Sequence, residues 1–287
     1  MIDWIAAMQR RRSVRHFASE DLPEEAVAGL RMATEAQEPL DEDVDAEVQL
    51  VPYEAVGSRT AVGAVGVVDR APWYLVGLAE PHPGRMEELG FRMEQVVLTA
   101  TAYGLGTCWI GGFYRPGQLG ERLDRSGDEV IAISPVGVPQ SGRRGRWIQA
   151  VVHGVAARGG RRKPLEEFAF WQRWGAPVQR QAVPPEMWQA LEMAQAAPSW
   201  SNVQPWYFLM SENMVLALGD SRPQRGNNRP GRPYYRLDVG IAMSHFWLTL
   251  NQLGYRGSWS SLGGQEYLAH GALDIPEHIV PIATLVL

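Results

Sequence analysis

The sequence predicts an α+β fold, mixed sheets flanked by helices, built as two intertwined repeats in one chain. Three observations predict it. Two long apolar helical stretches each end in a glycine five residues before a tryptophan, Gly104 before Trp109 and Gly254 before Trp259. Two amphipathic helices open on a Pro-Glu pair: Pro23-Glu24 leads to Leu30-Arg31-Met32-Ala33, and Pro185-Glu186 leads to Leu191-Glu192-Met193-Ala194. Short apolar runs suited to strands lie between the helices. The echo is faint but ordered, and its offset shrinks from about 160 to 150 positions, as a shortened loop would produce. The halves are placed at 1–160 and 161–287, with Gly159-Gly160-Arg161-Arg162-Lys163-Pro164 read as the linker.

Composition bounds the function. The chain has 287 residues, 45% of them hydrophobic and 21% charged, which is globular composition. A net charge of -5 argues against a nucleic-acid partner. A single cysteine, Cys108, leaves no internal disulfide and no multi-cysteine metal site; it reads as a buried small residue. No apolar run reaches the ~18 residues of a membrane span. Asp3 stands where a signal peptide wants a base, so the cytoplasm is the expected compartment.

In chain order, Trp4, Ile5 and Met8 mark a first helix over 4–12. It runs into Arg10-Arg11-Arg12-Ser13-Val14-Arg15, residues that suit either a phosphate cradle or the solvated end of a basic helix. A second helix starts at Leu22-Pro23-Glu24-Glu25 and gives way to the acidic loop 38–45. Strands are expected at 47–51, 64–68 and 73–78, then a long helix over 86–103 with Leu89, Met93, Val96, Val97 and Ala100 along one broad face. Gly104 is a candidate C-cap. The segment Thr107-Cys108-Trp109-Ile110-Gly111-Gly112 follows a helix instead of a strand, so it is no dinucleotide fingerprint, but its glycines let backbone approach a ligand. Arg143, Arg144 and Arg146 form a basic loop after Val138-Pro139. In the second half, Pro198 stops a helix and Ser199, Trp200, Ser201 and Asn202 offer hydroxyls and an amide beside a large aromatic surface. Trp206 then opens an apolar strand, and a helix over 238–253 follows. The 227–233 loop is a candidate lid or an ordinary mobile loop.

The 198–206 segment resembles the P-S-x-x-N-x-Q-P-W segment of the FMN-dependent nitroreductase family, and Arg11-Arg12-Ser13-Val14-Arg15-His16-Phe17 resembles that family's R-R-S-x-R-x-F motif. The resemblance implies a nitroreductase-like fold. It also implies that Arg11, Arg12 and Ser13 hold the phosphate and ribityl chain of FMN, and that Arg15 approaches the pyrimidine edge of the flavin. By the same likeness Gly111 and Gly112 face the ring near N5, although the family more often has an acid where Gly111 stands. Arg144 and Arg146 match the basic residues that close over the phosphate. Pro198, Ser199, Trp200, Ser201 and Asn202 match the loop that reaches the flavin from the other subunit, with Trp200 replacing a small residue.

Each half lacks what the other supplies. The counterpart of the 11–15 cluster lies near Gln172–Pro177 without the cradle, and the counterpart of 198–202 is the acidic 37–41 segment. The expectation is a pseudo-dimer in one chain, complete as a monomer, with one good site and one degenerate site. The activity implied is NAD(P)H-driven ping-pong reduction of a small-molecule electron acceptor, a nitroaromatic or quinone, with no metal, membrane or nucleic acid. The alternative is a flavin-binding or FMN-sequestering protein that does not turn over.

Overall fold

A computed structural model of the chain describes residues 2–56, 71–112, 114–140, 161–223, 228–229, 232–262 and 273–287. The expected strand at 64–68 and the basic loop with Arg143, Arg144 and Arg146 lie outside the described residues.

The first half contains α1 (Trp4–Arg10), α2 (Glu24–Glu35), β1 (Ala46–Pro52), the short α3 (Tyr53–Val56), β2 (Trp73–Ala79), α4 (Arg85–Ala102), β3 (Gly106–Thr107), α5 (Pro116–Arg122) and β4 (Val130–Gly137). The second half contains β5 (Ala169–Trp171), α6 (Pro185–Ala196), β6 (Trp206–Met210), β7 (Met214–Asp220), β8 (Asn228–Arg229), β9 (Arg232–Pro233), α7 (Tyr234–Gln252), β10 (Trp259–Ser261) and β11 (Ile279–Val286). The first sheet has the order β1-β2-β4-β3 and the second β10-β11-β7-β6-β5. Taken from its β6 side, the second sheet runs β6-β7-β11-β10, the same order by position in its half. β5 is added parallel to β6 on the outer edge, with Ala169 opposite Phe208.

Helices α4 and α7 pack on each other at the centre. Both are buried nearly all round: α7 is apolar on most sides, whereas α4 also buries Glu87, Glu88 and Glu94. The two backbones approach closely at glycines 150 positions apart. A Cβ added to Gly90 would collide with the carbonyl of Leu237, and one added to Gly240 with the carbonyl of Glu87. Both helices end on a left-handed glycine, Gly104 at φ 76° and Gly254 at φ 96°. Helix α7 starts a turn earlier than the sequence pattern suggests, because Tyr234, Tyr235 and Leu237 are buried as well. Helix α1 is capped by Asp3, whose Oδ1 accepts from the Ala6 amide at 3.0 Å. Gln252 ties its start to the end of α7 by accepting from the Ile5 amide and donating to Asp3. That docking fixes where the chain leaving α1 arrives.

A second pair of equivalent contacts joins each central helix to a loop. Glu88, on α4, accepts from the backbone amides of Leu40 and Asp41 at 3.1 and 2.7 Å. Asp238, on α7 and again 150 positions on, accepts from the amide of Trp200 at 3.0 Å. Burial raises both carboxyls above the ordinary range.

Candidate functional site

The chain leaving α1 lies along the first sheet. The Val14 amide donates to Thr107 O at 2.8 Å, and the Ala18 amide donates to Val138 O at 2.9 Å. This lays Ser13 beside Thr107 and the Gly-rich segment. Arg12 is exposed and folds back, its Nη1 donating to the carbonyls of Gln9 and Arg11 at 2.7 Å. Arg15 is half-buried, and its charge acts on Cys108. Burial raises the Cys108 thiol, which is thereby kept protonated and inert.

Arg11 is the unusual member. It is only 7% exposed, and its Nε has no hydrogen-bond partner among the described residues. Burial lowers its pKa, while the Glu94 carboxylate works against that shift. A buried donor normally finds a carboxylate or carbonyl, because leaving it unmade costs about 1–3 kcal/mol.

Glu94 anchors a polar link across the centre of the molecule. It accepts from Trp109 Nε1 at 2.6 Å and meets His245 Nε2 at 2.8 Å, while His245 Nδ1 meets the carbonyl of Met193 at 2.9 Å. A carbonyl only accepts, so Nδ1 is the donor to Met193 O. The link joins α4, α6 and α7 and holds Trp109, two residues before Gly111.

The second-half loop arrives from the opposite side. Segment 161–163 is stitched to it. Arg162 Nη1 donates to Ala197 O at 2.6 Å and Asn202 Oδ1 at 3.0 Å, and Nη2 donates to Ala196 O at 2.9 Å. Asn202 Nδ2 and Gln204 Nε2 both donate to Arg161 O at 3.1 Å, and the Lys163 amide donates to Gln204 Oε1 at 2.9 Å. Residues 161–163 of the segment read as a linker thus clip onto that loop. The pKa of Arg162 is lowered to about 10 by burial and then by the charges of Arg11 and Arg12. Positive charges of the two halves therefore act on one another there, an arrangement that favours an anion.

The remaining predicted residues meet beside them. A Cβ on Gly111 would lie 2.9 Å from Trp200 Cζ3 and 3.0 Å from Tyr234 Cε1. Trp200 and Tyr234 are stacked, their ring centroids 5.2 Å apart at 24°. Gly112 is buried next to Gly111, Pro198 is buried, Ser199 is partly buried, and Ser201 is exposed. Ser199 Oγ accepts from the Gln204 amide at 3.0 Å. The α-carbon side of Gly111 is covered by these two rings, since a glycine there lets an indole close in. The 227–233 loop differs as well. β8 pairs with β9, and Arg232 donates to the carbonyls of Val130 and Gly127 at 2.9 and 3.1 Å, so that end is anchored to the first half.

Thus Gly111 of the first half meets Trp200 of the second, and the charges of Arg11 and Arg12 act on Arg162, which bonds Asn202; Ser13 and Arg15 lie beside Thr107 and Cys108. Sequence reasoning missed Arg162, Glu94, His245 and Asp238. The basic triplet 161–163 was a visible signal; the other three become legible only once α4 and α7 are known to cross. Among the described residues no helix is long and apolar enough to cross a membrane.

Comparison with known proteins places this geometry. No curated protein matches the sequence. A crystal structure of a "putative nitroreductase" from Thermotoga maritima is 21% identical, with a TM-score of 0.62, and covers 100% of this chain and 94% of its own. An FMN-dependent nitroreductase from Clostridium difficile is 19% identical over 48% of this chain and 89% of its own, with a TM-score of 0.42. A nitroreductase family protein from Clostridium novyi is 18% identical over 63% of this chain and 100% of its own, also at 0.42. The fold is α+β and nitroreductase-like. The family model described as "Putative TM nitroreductase" matches residues 3–250. With the match spanning most of the sequence, the chain belongs to that nitroreductase family.

Proposed function

We propose that this oxidoreductase of nitroreductase type uses FMN, takes electrons from NAD(P)H and passes them to a nitroaromatic, quinone or similar acceptor. The observation that carries the reading is Arg11, a buried guanidinium with an unpartnered Nε among the described residues, whose charge acts on Arg162 of the other half. The residues present fit a phosphomonoester. Arg11 and Arg162 would hold it, with Ser13 as a further donor and the exposed Arg12 at the rim. When bound, FMN supplies the two-electron chemistry, accepting a hydride from NAD(P)H and delivering it to the acceptor. For a quinone the balance is NAD(P)H plus a proton plus quinone giving NAD(P)+ plus hydroquinone. Arg15 would place a positive charge where negative charge develops on reduction. Glu94 and His245 hold the Trp109–Gly111 segment in position.

We further propose that the two halves are repeats forming a pseudo-dimer with one working site. In support, the sheets share a strand order, and Gly90 and Gly240, Glu88 and Asp238, and Trp109 and Trp259 stand in pairs 150 positions apart. The mirror position is unsuited to a phosphate. Its loop carries Glu38 and Asp41, and the counterpart of the 11–15 cluster carries Trp174, whose ring packs 4.8 Å from Phe170 and 5.0 Å from Tyr207. The two rings over Gly111 favour a second reading, a protein that holds FMN without turnover.

The visible spectrum of FMN-supplemented protein separates these readings. The expected result is a bound flavin spectrum that bleaches under NAD(P)H without oxygen and returns on adding quinone. A bound flavin inert to both nucleotides favours the second reading, and no bound flavin overturns both.

A further inference from the structure

We propose that Trp200, backed by Tyr234, is a fixed wall that limits the acceptor to a single narrow ring; the inference rests on the FMN reading above. The indole and the phenol ring pack on the α-carbon side of Gly111 and on each other. Neither ring is hung on a loose element. The loop under Trp200 holds three non-glycine residues in the left-handed region, Ser201 at φ 47°, Asn202 at φ 56° and Gln204 at φ 53°. Such backbone persists only where surrounding contacts over-determine it. Those contacts are present. Asp238 takes the Trp200 amide, Ser199 takes the Gln204 amide, and Arg161, Arg162 and Lys163 bind the side chains of Asn202 and Gln204. Tyr234 sits at the start of α7, its hydroxyl donating to Ile131 O at 3.4 Å, next to the anchored Arg232. The wall is therefore preorganised, held by both halves at once.

Its consequence is steric. A planar acceptor lying along the Gly111 segment meets the edge of the indole. A fused multi-ring quinone would overlap it where a one-ring quinone would not. Trp200→Ser removes the indole and leaves the backbone amide that Asp238 holds, so the loop keeps its anchor. Trp200→Phe removes one ring of two and should behave in between.

The test measures kcat/KM for 1,4-benzoquinone and for anthraquinone-2-sulfonate in FMN-loaded protein. It also measures the dissociation constants of unreactive benzoate and anthracene-2-carboxylate by calorimetry. The native protein is expected to favour the one-ring member of each pair by about tenfold or more, within the range that pocket shape alone provides. Trp200→Ser, saturated with FMN, should reduce both ratios at least about fivefold, and Trp200→Phe should fall between. Unchanged ratios in a folded, FMN-loaded Trp200→Ser protein overturn the wall. So does loss of FMN from that variant, which would make the indole part of the cofactor's own contact surface. Failure of the underlying reading looks different: the native protein takes up no FMN.

Discussion

Arg11→Ala combined with Arg162→Ala is expected to weaken FMN binding roughly a hundredfold or more, at ~1.5–3 kcal/mol for each charge-assisted hydrogen bond removed. The two substitutions should differ in what they do to the protein without ligand. Arg11 is buried and its Nε lacks a partner among the described residues, so its removal relieves an unpaired buried donor. The melting temperature of Arg11→Ala should therefore hold or rise while FMN affinity falls, the signature of a residue kept for binding at the expense of stability. Arg162 bonds Ala196, Ala197 and Asn202, so Arg162→Ala should lower the melting temperature as well. Flavin fluorescence titration beside thermal melts reads both quantities. Unchanged FMN affinity in the double variant would remove the cluster from the cofactor site.

Gly240→Val is expected to cost more than about 3 kcal/mol, lowering the melting temperature by about 6–12 °C or preventing folding. The added side chain meets the Glu87 carbonyl. A backbone atom cannot rotate aside, so α4 and α7 must separate, and the Glu94–His245 contact between them is strained too. Gly104→Ala is the useful comparison. Its φ of 76° imposes strain of about 1–2 kcal/mol, but nothing lies within 4 Å of the new Cβ. The collision should thus outweigh the backbone strain. Calorimetric melts that rank Gly240→Val as no worse than Gly104→Ala would show that the helices do not cross as described.

Much of the fold was legible because its signals are local. Gly104 and Gly254 mark helix ends, and both adopt the left-handed conformation a C-cap needs. Alternation and apolar runs located β1, β2 and β6. The site was half legible. Arg11, Ser13 and the 198–202 loop stand out as motifs, and Gly111 of the Gly-rich segment meets Trp200 of that loop. Arg162 reads as linker in the sequence because its partners lie 34 to 40 residues on, beyond a helix that no short window spans. The contact between Glu94 and His245 spans 151 positions, and neither residue carries a local pattern. The cover over Gly111 was hidden for a related reason. A glycine reports that something comes close, and only the fold says whether it is a ligand or a tryptophan.

The central claim is one composite FMN site within a single chain, and flavin quantitation combined with light scattering tests it most directly. The pseudo-dimer account predicts one FMN per 287-residue chain, retained when the chain is monomeric. Two flavins per chain would contradict the degenerate mirror site, and flavin bound only where two chains associate would contradict the pseudo-dimer itself.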